Sequence, residues 1–274
     1  MLEKSQYLTY LSNKNGIINP GMGRFGKTTS VVFLWLSNNM KPLLVGFGDS
    51  WTFGSELDRP QTQSWVVQLA DMLDAEPLNL GTPASSISHL STQLFDFIKH
   101  NLNPDRRTIF AVGLTGLTRY LSYSNAQQEF INITPEAVYR TTNIHQSGRP
   151  PEVVAHMNTY AKDTYRLVED PIYNEFLACQ AIFQIQQFAQ YNEIDNIYFS
   201  YFDQLTTDTF GHILYKHNIY PVTIAQALTG SKYAIPAIRS NEYFEGKLFH
   251  PNILGHTRIA ELLKEFYDQL YPRD

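Results

Sequence analysis

The chain has 274 residues, of which 43% are hydrophobic and 14% aromatic, a composition that excludes a disordered or collagen-like protein. Its net charge of −5, with no Lys/Arg cluster longer than Arg106-Arg107, argues against a nucleic-acid partner. The single cysteine, Cys179, excludes an internal disulfide, and the eight histidines lack metal-binding spacing, so we expect neither metal nor cofactor.

Hydropathy gives no sign of a membrane segment. The longest apolar run near the start covers residues 31–36 (VVFLWL), far below the ~18–20 residues that a membrane span needs. No small-residue cleavage site follows that run, which argues against a secretory signal. We therefore expect a protein without a membrane span that is cytoplasmic or otherwise not secreted.

From residue 40 onward, short apolar runs alternate with amphipathic segments. The pattern predicts strands at residues 43–47, 78–80, 108–112 and 197–202. It predicts helices near residues 65–73, 90–98, 172–190 and 259–270. Because strands alternate with helices, the expected fold is an α/β sandwich around a parallel sheet. Chemistry in such sheets lies at the carboxyl ends of the strands.

Two segments depart from this alternation. Residues 1–39 are rich in Asn, Gly, Ser and Thr and are expected to form an N-terminal extension to a domain at 40–274. Residues 115–165 are long, polar and irregular, which is typical of a cap or a binding loop inserted over a site.

The extension contains a sequence that matches a phosphate-binding motif. Residues 21–28 (GMGRFGKT) fit the pattern G-x-x-x-x-G-K-[ST]. That motif requires a strand before it and a helix after it, whereas the run that follows here is β-branched and aromatic. We interpret the segment as a glycine-rich extension, and nucleotide binding remains a weak hypothesis.

Two blocks far apart in the chain carry chemistry. Residues 48–54 (GDSWTFG) follow the first predicted strand, and residues 250–252 (HPN) precede the last helix. A serine hydroxyl needs an adjacent base to act as a nucleophile, and imidazole titrates near neutral pH. Together the blocks resemble the SGNH (GDSL-type) esterase and lipase family over roughly residues 42–271. The resemblance implies a three-layer α/β/α sandwich with Ser50 as nucleophile and His250 as general base.

The resemblance also implies an oxyanion hole. Two of its donors would be the backbone N–H groups of Ser50 and Ala84, the second of which stands where the family has a glycine. The third would be the side chain of Thr115, which stands where the family has an asparagine. A threonine hydroxyl can donate one hydrogen bond, but it reaches less far than an amide.

The acid is the largest departure from the family pattern. The family's acid lies three residues before the histidine, where this chain has Lys247, which cannot accept the imidazole N–H. Candidates for a substitute acid are Glu245, Glu242 and Asp203. A Ser–His dyad held by a backbone carbonyl and a weak or inactive site remain open alternatives. Asp49 is expected to be structural.

The side chains around the blocks suggest further roles. Arg119 could meet an anionic substrate group or serve as an ion-pair partner. Four aromatic residues could flank the cleft or belong to the core, namely Trp51, Phe53, Tyr123 and Tyr139.

Two functions follow from these patterns. The first is a serine esterase acting on a short acyl or acetyl ester of a small molecule or a glycan. The second is a binding or structural module with the same fold and impaired chemistry, for which Lys247, Thr115 and Ala84 argue. The sequence determines neither the ester nor the oligomeric state.

Overall fold

A computed structural model describes residues 40–116, 119–124, 129–133, 155, 159, 163, 171–202, 214, 216–231, 241–245 and 250–272. The chain divides into two units, Met1–Met40 and Lys41–Asp274, and all elements below belong to the second. The predicted extension at 1–39 and most of the predicted insertion at 115–165 lie outside the described residues, so the domain assignment stays a prediction.

The predicted strands and helices are present in the predicted order, together with shorter elements that were not predicted. The strands are β1 (Leu43–Phe47), β2 (Glu76–Asn79), β3 (Thr108–Leu114), β4 (Tyr120–Ser124), β5 (Glu129–Ile133), β6 (Asp195–Ser200), β7 (Phe244–Glu245) and β8 (His250–Pro251). The helices are α1 (Ser50–Phe53), α2 (Pro60–Gln63), α3 (Trp65–Leu73), α4 (His89–His100), α5 (Pro171–Tyr191), α6 (Ile224–Thr229) and α7 (Ile253–Leu270). A 3₁₀ turn covers Lys216–Asn218.

A four-stranded parallel sheet organises the molecule, with strand order β2-β1-β3-β6. Val45 at the centre of β1 pairs with Leu78 on one side and Phe110 on the other. Phe110 is in turn paired with Asn196 of β6. Since all four strands run in the same direction, the segments that follow them emerge at one edge of the sheet.

Alternate strand residues pack into two separate helix layers. On β3, Ile109 and Ala111 join the core with α3, α6 and α7, whereas Phe110 and Val112 join the core with α4 and α5. Both faces of each central strand are therefore apolar, as expected for a parallel sheet covered on both sides. The predicted α/β sandwich is confirmed.

The start of the predicted insertion is more regular than its composition suggests. β4 and β5 form an antiparallel pair, with Tyr120 opposite Ile133 and Ser122 opposite Ile131. The sequence analysis predicted no strand here, because these short runs pair with each other and not with the main sheet. Among the described residues, none of the helices combines the length and the apolar character that crossing a bilayer would require.

Candidate active site

Ser50 is the first residue of α1, directly after β1 and a two-residue turn. The preceding residue, Asp49, caps the helix, because its Oδ1 accepts a hydrogen bond of 3.0 Å from the Trp51 N–H. The helix ends after one turn at Gly54, whose φ of +85° lies in the left-handed region. Ser50 is buried. As a first-turn residue, it has a backbone N–H with no intrahelical acceptor, so that N–H is available to an oxyanion.

A buried ion pair lies under the helix start. Asp49 Oδ2 and Arg119 Nη1 are 2.7 Å apart, with the Asp49 side chain 2% and the Arg119 side chain 24% exposed. The same Arg119 nitrogen donates to the Ser85 carbonyl at 3.4 Å. Of the two roles considered for Arg119, the structure shows that of an ion-pair partner. Through Asp49, Ser85 and Arg119, these contacts join the three segments that follow β1, β2 and β3.

His250 reaches the same edge from the other end of the chain. It begins β8, and β8 lies against α1, which begins at Ser50. Asn252 holds this block in place: its Oδ1 caps α7 through the Gly255 N–H at 2.9 Å, and its Nδ2 donates to the Glu242 carbonyl at 2.7 Å. The two blocks that the sequence singled out are therefore adjacent in space.

The imidazole of His250 is paired with a carboxylate that the sequence analysis missed. Nδ1 of His250 and Oε2 of Glu56 are 2.9 Å apart. A carboxylate only accepts, so Nδ1 is the donor, and its single hydrogen is taken by this bond. Glu56 lies six residues after Ser50, just beyond the left-handed turn at Gly54.

The acid candidates Glu242, Glu245 and Asp203 stay predictions. The carboxylate that the structure shows in contact with His250 is none of them but Glu56. Glu242 is exposed, and its backbone carbonyl serves Asn252. Glu245 pairs with His250 through the backbone of β7 and β8, and its side chain lies outside the described residues. Asp203 and Lys247 lie outside them as well.

Ala84 stands in the loop after β2, where it adopts a φ of +61°. An alanine thus keeps the left-handed backbone that a glycine adopts freely. The loop is tied to the first block by the Thr82 N–H, which donates to the Gly48 carbonyl at 3.0 Å. Asn79 adds a bond from its Nδ2 to the Thr52 carbonyl at 2.8 Å. Ala84 is buried at the edge of the sheet that holds Ser50.

Thr115 follows the last residue of β3 and is 4% exposed. Its Oγ1 finds no hydrogen-bond partner among the described residues. An unpaired buried hydroxyl costs about 1–3 kcal/mol, so a partner supplied by a ligand would be favourable. Two residues earlier, Gly113 packs so closely on Tyr201 that a Cβ there would clash with the tyrosine hydroxyl.

The aromatic residues of the first block have different roles. Trp51 is buried and packs against Tyr201, Phe202 and Phe244, so it belongs to the core. Phe53 is 38% exposed and remains beside the site. The side chain of Tyr123 and all of Tyr139 lie outside the described residues.

A second histidine lies buried near the first. His256 on α7 accepts a 3.1 Å bond at Nδ1 from the Trp65 N–H, so its hydrogen is on Nε2. Burial, with a smaller contribution from His250, lowers the pKa of His256 to about 3. His256 is therefore neutral at physiological pH and adds no charge beside His250.

The described residues contain no cluster of His, Cys, Asp or Glu that could hold a metal ion. What they bring together is a buried serine, an imidazole bound to a carboxylate, and donors on two neighbouring loops. This set of groups can support nucleophilic attack by an activated hydroxyl.

No protein-family model and no curated protein matches the chain. Among solved structures, a protein assigned to the lipolytic G-D-S-L family from Desulfitobacterium hafniense DCB-2 is 14% identical, with a TM-score of 0.46, over 82% of this chain and 98% of its own. A two-domain esterase active on acetylated mannans is 13% identical, with a TM-score of 0.47, over 95% of this chain and 57% of its own. A carbohydrate esterase family 2 enzyme with a carbohydrate-binding domain, from Corynascus thermopiles (Myceliophthora fergusii), is 13% identical, with a TM-score of 0.41, over 91% of this chain and 68% of its own.

The parallel sheet, with helices on both faces, is that of an α/β sandwich, in which Ser50 follows the first strand and His250 precedes the last helix. GDSL-type lipolytic proteins and carbohydrate esterases are thus among the solved structures to which the chain is similar.

Proposed function

We propose that the protein is a serine esterase in which Ser50 is the nucleophile and His250 the general base. The observation that carries the proposal is the contact of α1 with β8, which brings the segments beginning at Ser50 and His250 together. They meet at the edge of the sheet where the loops of Ala84 and Thr115 emerge.

The proposed reaction has two halves. Ser50 Oγ attacks the ester carbonyl carbon while His250 Nε2 accepts the hydroxyl proton. Collapse of the tetrahedral intermediate breaks the bond to the alcohol, which leaves with the proton from His250. Water then attacks the acyl-enzyme, again with His250 as base, and releases the acid and free Ser50.

The oxyanion of both tetrahedral intermediates would be held at the edge of the sheet. The donors are the N–H groups of Ser50 and Ala84 and the hydroxyl of Thr115. The Thr115 hydroxyl is buried without a partner among the described residues, so it is free to donate. A single donor of this kind raises kcat roughly 10²–10³-fold.

The proposed substrate is a carboxylic ester with a short acyl or acetyl group, carried by a small molecule or by a glycan. This choice follows the sequence resemblance, whose family covers acetylated sugars and other esters.

A fluorophosphonate probe tests the proposal without knowledge of the ester, because it phosphonylates activated serines directly. We expect the wild type and a Ser55→Ala control to gain the mass of one probe, and Ser50→Ala and His250→Ala to gain none. Hydrolysis of p-nitrophenyl acetate should follow the same order. Equal labelling of wild type and Ser50→Ala would overturn the proposal.

One observation favours a second candidate, a binding module with the same fold. Lys247 and Thr115 stand where the family has an acid and an asparagine. In that case a folded wild type would neither react with the probe nor hydrolyse esters, yet would bind glycans in a screen. Labelling of Ser50 would exclude this candidate.

A further inference from the structure

We propose that Glu56 is the positioning carboxylate of this site, so that the nucleophile and the acid both lie in the segment that follows β1. The inference rests on the proposed function, and it names a residue outside the position where the resemblance places the acid.

The contact itself is the first argument. A distance of 2.9 Å between Nδ1 of His250 and Oε2 of Glu56 is a charge-assisted hydrogen bond when the imidazole is protonated. The His250 side chain is 10% and the Glu56 side chain 30% exposed, so the bond is partly shielded from water. It fixes the tautomer, because Nδ1 carries the hydrogen and leaves the Nε2 lone pair to act as base.

The backbone at Glu56 is the second argument. Four described non-glycine residues have a positive φ, and for two of them a helix end accounts for it: Asp74 caps α3, and Glu193 follows the end of α5. The other two are Glu56, at +70°, and Ala84. α1 already has its left-handed cap at Gly54, so Glu56 does not end the helix. It lies instead in a turn that the Leu57 N–H closes by donating to the Gly54 carbonyl at 3.2 Å. Unfavourable backbone conformations of this kind concentrate at functional sites.

The third argument is the stiffness of the link between nucleophile and acid. The N–H groups of Gly54 and Ser55 both donate to the Ser50 carbonyl, at 3.0 and 2.9 Å. These bonds close the turn directly after α1 and hold the start of the Glu56 loop against Ser50. The block around His250 then needs to supply only the imidazole, which explains how Lys247 can stand at the usual acid position.

The test compares Glu56→Gln with Asp58→Asn, an exposed carboxylate of the same loop. Loss of the positioning carboxylate costs roughly 10⁴-fold in the serine-triad template, and we expect Glu56→Gln to lose at least about 10²-fold in kcat/KM for p-nitrophenyl acetate. Asp58→Asn should match wild type, and Glu56→Asp should recover part of the loss.

The pH profile separates positioning from packing. A neutral amide no longer stabilises the imidazolium, so the acid limb of kcat/KM should move to lower pH in Glu56→Gln. Among the described residues, Glu56 is in contact with His250, and the Asp49–Arg119 pair lies at the start of α1, the helix against which β8 packs. The side chain of Glu245, opposite His250, lies outside the described residues. His256 is neutral through this range, because its pKa is lowered to about 3.

Two further measurements keep the inference testable if Glu56→Gln folds poorly. Glu56→Gly removes the carboxylate and places at this position the residue that adopts a left-handed backbone freely, so the variant should fold while its turnover is lost. Proton NMR should show a downfield imidazole N–H signal in wild type and Asp58→Asn that is missing in Glu56→Gly and His250→Ala.

The outcomes distinguish the two proposals. If Ser50→Ala is inactive while Glu56→Gln keeps wild-type kcat/KM and pH profile, the role of Glu56 is wrong and the esterase proposal stands. If wild type and Ser50→Ala hydrolyse the ester equally, the esterase proposal fails, and the role of Glu56 fails with it. Wild-type kcat/KM in Glu56→Gly would likewise contradict the inference, because that variant has no carboxylate to hold the imidazole.

Discussion

At the scale of single residues, the loop after β2 carries a backbone conformation that its side chain does not favour. Ala84 has a φ of +61°, where a Cβ costs about 1–2 kcal/mol relative to glycine. The greater freedom of unfolded glycine offsets part of that cost. Ala84→Gly should therefore raise the free energy of unfolding by up to about 1 kcal/mol, measured by chemical denaturation. Because the N–H is retained, ester turnover should stay close to wild type, and a large loss would contradict this account.

Thr115 should show opposite effects on stability and on turnover. Thr115→Val removes a buried hydroxyl that has no partner among the described residues, so the free energy of unfolding should rise by about 1 kcal/mol. The same change removes an oxyanion donor and should lower kcat roughly 10²-fold or more, with KM little changed. Thr115→Ser is the matched control that keeps the hydroxyl. If Thr115→Val retains wild-type kcat, Thr115 has no part in the oxyanion hole.

His256 makes stability depend on pH. Its pKa is lowered from 6.5 to about 3, so the unfolded chain binds this proton more readily than the folded chain. The stability it confers is complete above pH 6.5 and is lost as the pH falls from 6.5 towards 3, by about 1.4 kcal/mol per pH unit. His256→Asn keeps an acceptor for the Trp65 N–H and does not titrate. Its denaturation midpoint should vary less with pH across this window, and an unchanged slope would contradict the assignment.

At the scale of elements, the Asp49–Arg119 ion pair joins the cap of α1 to the segment before β4. Removing one partner leaves an unpaired charge, which is strongly destabilising when that charge is fully buried away from water. Arg119 is partly exposed, so Arg119→Met should cost less, on the order of 1–3 kcal/mol in unfolding free energy. Arg258→Met, which breaks an exposed pair on α7, is the control and should cost under about 1 kcal/mol. Asp49→Asn combined with Arg119→Met should recover part of the loss.

The elements also divide by how well periodicity predicted them. α3, α4 and α7 each bury one face, so their apolar spacing is visible in the sequence. β4 and β5 were missed because two short strands that pair only with each other carry a weak pattern. They place an antiparallel pair of strands at the start of residues 115–165, the segment for which a cap or a binding loop was expected.

At the scale of the whole molecule, the core of the described residues begins at β1, and both Ser50 and His250 belong to the second unit. The esterase proposal therefore predicts that a chain lacking residues 1–39 keeps its ester turnover. The weak nucleotide hypothesis for residues 21–28 predicts in addition that this deletion abolishes ATP affinity, measured by calorimetry. Absence of ATP binding in the full chain would remove that hypothesis without affecting the esterase proposal.

The sequence by itself determined the α/β class, the order of the main elements and the segments at the carboxyl edge of the sheet. It could do so because the apolar pattern of each strand and helix is local, and because parallel strands present their carboxyl ends together. With the family resemblance, this was enough to place Ser50, Ala84, Thr115 and His250 as candidates.

Only the tertiary structure decided which carboxylate meets the imidazole, that Arg119 pairs with Asp49, and that Trp51 is buried while Phe53 stays exposed. Glu56 and His250 are 194 positions apart, and their contact depends on a left-handed turn at Gly54 followed by a second one at Glu56. Neither turn leaves a periodic pattern, because each is fixed by the surrounding packing and by a few backbone hydrogen bonds.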